Sequence, residues 1–262
     1  AVTIYLGLAA SRLADSLNKH CRWAPDKVQL KNMFGRQAIP MTWDYFEANP
    51  FAKASGDFLT SVTTVAKVLE RFIPLGLGRV NQSDAQTVKY SKNCVVSTDP
   101  PYYDNIAYAD LSDFFFAWLK PTAKSIYPDV FSYLATPKED ELVATKYRHG
   151  GKAPAEKFFL EGMTKAIQNM ADNASRDIPT TIYYAFKQSE ISEEGVSSTG
   201  WATFLQAVIN AGFIVVGTWP MRTEMANRMV ASGTNALANS VVMVCRPKDQ
   251  SSGTITRFEF IR

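Results

Sequence analysis

The run Cys94-Val95-Val96-Ser97-Thr98-Asp99-Pro100-Pro101-Tyr102-Tyr103-Asp104 constrains the fold of this chain more than any other. Three apolar residues, Cys94 to Val96, read as a short buried strand. Two consecutive prolines follow soon after. They cannot continue a central strand, because a proline has no N–H to give to the ladder. An acid, Asp99, and an aromatic, Tyr102, are therefore expected on a stiff turn at the carboxyl end of a strand. In open α/β sheets ligands sit in the crevice outside that end. The plainer alternative is a proline turn that only closes the strand.

The segments after this run alternate between helix and strand patterns. Leu111, Phe114, Phe115, Trp118 and Leu119 recur at i, i+3, i+4, i+7 and i+8, which predicts an amphipathic helix stopping at Pro121. Phe114 to Phe116 read as core rather than as cofactor contacts. A long connection over 121–152 follows. The next helix is predicted from Ala153 to Met170, with Pro154 in its first turn and Ala155, Phe158, Phe159, Met163, Ile167 and Met170 on one face. Thr180 to Phe186 reads as a strand. Ser198-Thr199-Gly200 caps a helix that turns Trp201, Phe204, Leu205, Val208 and Ile209 inward and ends at Gly212. Phe213 to Thr218 and Val241 to Cys245 read as two more strands, and the tail Thr254 to Phe260 alternates weakly. Strands separated by helices are expected to run parallel. The last two have no helix between them and are expected to pair antiparallel. The fold class is thus α/β: a mostly parallel sheet with an antiparallel last strand and helices on both faces.

Upstream the pattern is looser. Ile4, Leu8, Leu13 and Leu17 suggest a helix over 1–20. Residues 21–54 mix aromatics with prolines and read as an irregular arm packed on the body. A helix opens at Ser55-Gly56-Asp57, with Phe58, Val62, Val65, Leu69 and Phe72 on one face, and stops at Pro74. Gly76-Leu77-Gly78 can cradle phosphate only after a strand and before a helix. Here it follows a helix, so it reads as a C-cap and turn. Residues 80–93 look hairpin-like. The expected organisation is an arm over 1–54 and an α/β domain over 55–262, and 262 residues at 46% hydrophobic suffice for a sizeable core.

A net charge of +3 provides no general attraction for nucleic acid, so any such contact needs a local patch. The clearest one is Thr145-Lys146-Tyr147-Arg148-His149-Gly150-Gly151-Lys152. It reads either as a loop gripping nucleic-acid phosphate or ordering over a substrate, or as a solvated surface loop. The three cysteines, Cys21, Cys94 and Cys245, are far apart and match neither a disulfide framework nor a metal site. Cys94 and Cys245 read as core thiols, and a reducing, cytoplasmic setting is expected. No run of 18 apolar residues occurs, so no transmembrane helix is expected, and no membrane is expected among the partners.

Asp-Pro-Pro-Tyr is the signature tetrapeptide of amino-methyltransferases, and the likeness extends further. With Tyr147-Arg148-His149-Gly150-Gly151, Pro220-Met221-Arg222-Thr223-Glu224 and Gly233-Thr234-Asn235-Ala236-Leu237, the chain resembles the large adenine-specific DNA methylases from about residue 40 to 247. The resemblance implies a partial Rossmann-like methyltransferase sheet that transfers a methyl group from S-adenosylmethionine to an exocyclic amine of DNA. It implies Asp99, Pro100, Pro101 and Tyr102 as catalytic residues. Tyr103, Lys146, Arg148, His149 and Lys152 would be substrate-binding, with Tyr103 equally able to pack under its loop. The leading Asp points to adenine. A related tetrapeptide, usually led by Asn, serves methylation of RNA or protein, which is the alternative enzyme. The Gly-rich donor turn that the family carries upstream is not in the sequence, so the cofactor-binding residues stay unassigned, apart from a possible share for Asp99. The chain is expected to be the downstream half of a longer protein, or alone a nucleic-acid-binding or structural fragment.

Overall fold

A computed structural model describes residues 1–35, 37–54, 56–187, 199–221 and 237–249. The chain divides into two compact units. The first joins Ala1–Gln82 to Ala107–Glu141, and the second joins Ser83–Ile106 to Leu142–Arg262. The expected boundary at residue 54 falls inside the first unit.

The first unit is helical. It contains α1 (Val2–Ser16), a small antiparallel pair of β1 (Trp23–Ala24) and β2 (Gln29–Leu30), α2 (Phe58–Arg71), α3 (Tyr108–Ala123) and the short α4 (Pro128–Phe131). α1 packs against both α2 and α3. Gly7 lies against Thr122, where a β-carbon would collide with the threonine hydroxyl, so the missing side chain sets the α1–α3 approach. Asp57 caps α2: its Oδ1 accepts from the Thr60 N–H at 2.7 Å. Only the front of the expected α2 face is covered, because Leu69 and Phe72 are exposed. α3 runs through Pro121 to Ala123 instead of stopping there. In the last turn a proline forfeits a single hydrogen bond, and the Lys124 N–H still closes on the Lys120 carbonyl at 3.0 Å. α2 ends at Phe72 without a left-handed glycine, so Gly76 and Gly78 are not its C-cap.

The second unit is α/β. Its elements are β3 (Ser97–Thr98), α5 (Lys152–Ala171), β4 (Thr180–Lys187), α6 (Thr199–Asn210), β5 (Phe213–Met221) and β6 (Leu237–Pro247). The sheet order is β3-β4-β6-β5. β3 pairs parallel with β4, and β6 runs antiparallel to both β4 and β5. Three strands therefore share one direction and the last is reversed between two of them. A register shift between Val215 and Gly217 accommodates one extra residue in β5. Residues 80–93 form turns rather than a hairpin.

The core follows the two periodicities. α5 buries Ala155, Phe159, Met163, Ile167 and Met170 at helical spacing, as the sequence predicts. β4 points Thr180, Ile182 and Tyr184 the same way, and β6 adds Met243 and Cys245. Phe204, Ala207 and Val208 of α6 complete this single cluster, while Ile209 is exposed rather than inward. α5 and α6 pack on each other and feed one core, so among the described residues this unit shows helices on one face of its sheet rather than on both. The other face carries Tyr183, Ile214 and Trp219, all exposed. The described helices of this unit are α5 and α6, and both contribute to the same cluster, which leaves that face uncovered by any described helix.

Candidate active site at the carboxyl end of β3

The ladder next to the Asp-Pro-Pro-Tyr turn sits three residues later than expected. Cys94 makes only an isolated parallel bridge to Ala174, and regular pairing begins at Ser97 opposite Thr181. Among the described strands β3 lies at the sheet edge, with a neighbour on one side only. Val95 is accordingly 62% exposed and Cys94 half-buried, so this is no buried strand, although Val96 does pack against the core. The turn itself is where the sequence puts it. β3 ends at Thr98, and Asp99, Pro100, Pro101 and Tyr102 follow directly at its carboxyl end.

Asp99 is exposed, whereas Pro100, Pro101 and Tyr102 are half-buried. The Tyr102 hydroxyl donates to Asp99 Oδ1 at 2.7 Å. That length is typical of a charge-assisted O–H···O⁻ bond. The Tyr102 ring meets Tyr184 edge-on, with centroids 5.5 Å apart. Tyr184 is buried and stacks on Phe204 at 4.2 Å. The motif's acid is thus connected through two aromatic rings to the centre of the core.

Tyr103 turns the other way. Its φ of +45° is a left-handed conformation that a bulky residue rarely adopts. The surroundings over-determine it. Its carbonyl accepts from the Ala144 N–H at 2.9 Å, its ring meets Phe159 edge-on at 5.2 Å, and its hydroxyl donates to Glu156 Oε1 at 2.9 Å. Such a backbone costs of order 1–3 kcal/mol and persists only where contacts offset it. The ring packs under the loop and is buried, so Tyr103 offers no surface for a base to stack on.

The basic loop is tied to this turn. Ala144, bonded to Tyr103, lies two residues before Lys146. Lys146 is exposed and Arg148 half-buried, and Gly150 and Gly151, both at positive φ, lead into α5. Lys152 in its first turn pairs with Glu156 at 3.7 Å, the same carboxylate oxygen that Tyr103 uses. His149 stacks flat on Phe158 with centroids 4.1 Å apart, which places it as a packing residue of the loop; its Nε2 is buried and has no partner among the described residues. The Asn105 amide is also buried, and neither of its polar atoms has a partner among the described residues.

Sequence reasoning missed Glu156 and Tyr184. Glu156 was legible as the residue four after Lys152 on a helix. Tyr184 shares the inward phase of Thr180 and Ile182. Arg222, Thr223 and Glu224, the segment 233–236 and the tail 254–260 lie outside the described residues, as do Ser55 and Ser198. Among the described residues no helix is long and apolar enough to cross a membrane.

What the arrangement offers chemically is an exposed carboxylate and a stiff peptide carbonyl on one turn, a tyrosine beside them and cations on a neighbouring loop. No family model, curated protein or solved structure matches the chain.

Proposed function

We propose that this chain carries the amine-binding part of a DNA adenine-N6 methyltransferase. The observation that supports this best is the exposed Asp99 carboxylate at the carboxyl end of a strand with parallel pairing, followed by two prolines and Tyr102. A reversed last strand lying between its two predecessors agrees with the partial Rossmann-like sheet that the sequence resemblance implies.

An adenine amino group is a poor nucleophile because its lone pair is delocalised into the ring. Two acceptors on its two hydrogens favour the pyramidal geometry in which the pair becomes available. Asp99 supplies one and the Pro100 carbonyl the other. The Pro100 ring fixes its own φ, and Pro101 restricts the ψ that aims the carbonyl. Asp99 acts by orientation and by stabilising the charge that develops on nitrogen. The Tyr102 ring stacks on the base, which must leave the duplex to arrive there. Lys146 and Arg148 contact the phosphate backbone. Lys152, already paired with Glu156, contributes less.

The implied methyl donor, S-adenosylmethionine, does not fit the described residues. Its pocket needs a Gly-rich turn between a strand and a helix. Gly76 and Gly78 lie in an exposed stretch with no atom within 4 Å of an added β-carbon, and no helix follows. Gly150 and Gly151 open α5 but follow a turn rather than a strand. We assign the donor pocket to an upstream half of a longer protein.

The test is a labelled-methyl assay on that full-length protein against duplex DNA, RNA and protein. Label on adenine N6 of DNA is expected. Label confined to RNA or protein would favour the alternative amino-methyltransferases. Calorimetric titration of this chain alone with S-adenosylmethionine should give weak or no binding, and a clear micromolar isotherm would contradict the assignment of the donor pocket elsewhere.

A further inference from the structure

We propose that Tyr102 is a positioning residue for Asp99, acting through its hydroxyl in addition to any stacking by its ring. The inference rests on the reading of Asp99 as the amine acceptor. An exposed aspartate on a turn is ordinarily free to sample several χ1 wells. Asp99 is held instead: the Tyr102 hydroxyl lies 2.7 Å from Oδ1, and among the described residues it is the one hydrogen-bond partner of that carboxylate.

The donor side is rigid. Tyr102 and Asp99 flank two prolines, so the backbone between them has little freedom. The Tyr102 carbonyl accepts from the Asn105 N–H at 2.9 Å, which closes the next turn. The ring rests edge-on against Tyr184, itself 2% exposed, stacked on Phe204 and met at a tilt by Trp201. An ionised carboxylate has about four lone-pair sites. One hydroxyl takes one of them and leaves the others for a ligand's N–H. The phenol therefore fixes the plane of the acid without filling it.

The hydroxyl and the ring have separable consequences, and Tyr102→Phe keeps the ring. The first measurement needs no activity. In protein labelled at the aspartate carboxyl carbon, the Asp99 resonance is the one lost in Asp99→Asn. Tyr102→Phe is expected to move that resonance and to leave unmoved that of Asp113, held by Lys138 and Thr136. An unmoved Asp99 resonance overturns the proposal. The second measurement uses the full-length protein. Tyr102→Phe should lower kcat roughly ten- to a hundredfold, the worth of one hydrogen bond to a charged group, with KM changed less than about twofold. A wild-type kcat overturns the proposal, and so does a raised KM at constant kcat, which would make the hydroxyl a ground-state contact. If the wild-type protein transfers no methyl group at all, the proposed function fails, and the carboxyl resonance alone decides whether Tyr102 holds Asp99.

Discussion

Gly200→Ala separates two opposing effects whose balance the structure decides. Gly200 is the second residue of α6, and replacing it with alanine stabilises a helix by up to about 1 kcal/mol. Against that stands Tyr103. A β-carbon at Gly200 would sit 3.0 Å from Cδ1, 3.1 Å from Cγ and 3.2 Å from Cβ of the tyrosine. These atoms are the base of the side chain, not a flexible tip. Tyr103 is pinned by Glu156, Phe159 and the Ala144 amide, and its strained backbone leaves it nowhere to retreat. Forcing an extra carbon into such a place costs typically 1–3 kcal/mol. The expected net effect is a destabilisation of up to about 2 kcal/mol, read as a lower urea midpoint with unchanged slope. Tyr103→Ala removes Cγ and Cδ1. In that background Gly200→Ala should be neutral or stabilising, so the cycle returns the steric term alone, a coupling of about 1–3 kcal/mol. A Gly200→Ala protein more stable than wild type, or an absent coupling, would refute the claim that the turn after Asp99 is clamped by α6.

Two further predictions concern titrating groups. Partial burial pushes the Asp113 carboxyl up, but hydrogen bonds from Lys138 and then from Thr136, with the Lys138 charge, outweigh it and bring the pKa down to about 2. Because the folded value is the lower one, the stabilisation is complete above about 3.8 and is lost as pH falls through about 2. The side chain is 35% exposed, and screening limits its worth to about 1 kcal/mol. Wild type should exceed Asp113→Asn by that amount near neutral pH, with the gap closing by about pH 2; a gap that widens in acid would contradict the sign. Burial raises Cys245 to about 11 and also raises Cys21, while Cys94 is half-buried, so a thiol reagent near neutral pH should label Cys94 first and Cys245 only on unfolding.

The elements legible in the sequence are those whose packing is periodic. α5 shows its helical face because Ala155, Phe159, Met163, Ile167 and Met170 enter one core, while Phe158 of the same expected face is half-buried against His149; β4 is legible for the same reason. The bounds of α3 were harder to read, since a proline in a last turn removes one bond without breaking the helix. β3 was displaced because Cys94 to Val96 is apolar without being enclosed, and at a sheet edge apolarity does not report pairing. For the candidate site, Asp99, the prolines and Tyr102 were readable as a local word. The partners that fix the turn, Tyr184 against Tyr102 and Glu156 on Tyr103, arrive from 82 and 53 residues away in sequence, and nothing within the turn itself announces those contacts. Tyr103 illustrates the limit well. Beside Tyr102 it looks like a second stacking ring, yet one left-handed residue sends the two side chains to opposite jobs.

In the proposed function the Asp99 carboxylate accepts from the amine that is methylated. Asp99→Asn in the full-length protein keeps the shape of the side chain and removes its charge. Methyl transfer to adenine should fall by about a hundredfold or more, with the urea midpoint and circular dichroism unchanged. Transfer within a few-fold of wild type in a folded variant would contradict the account.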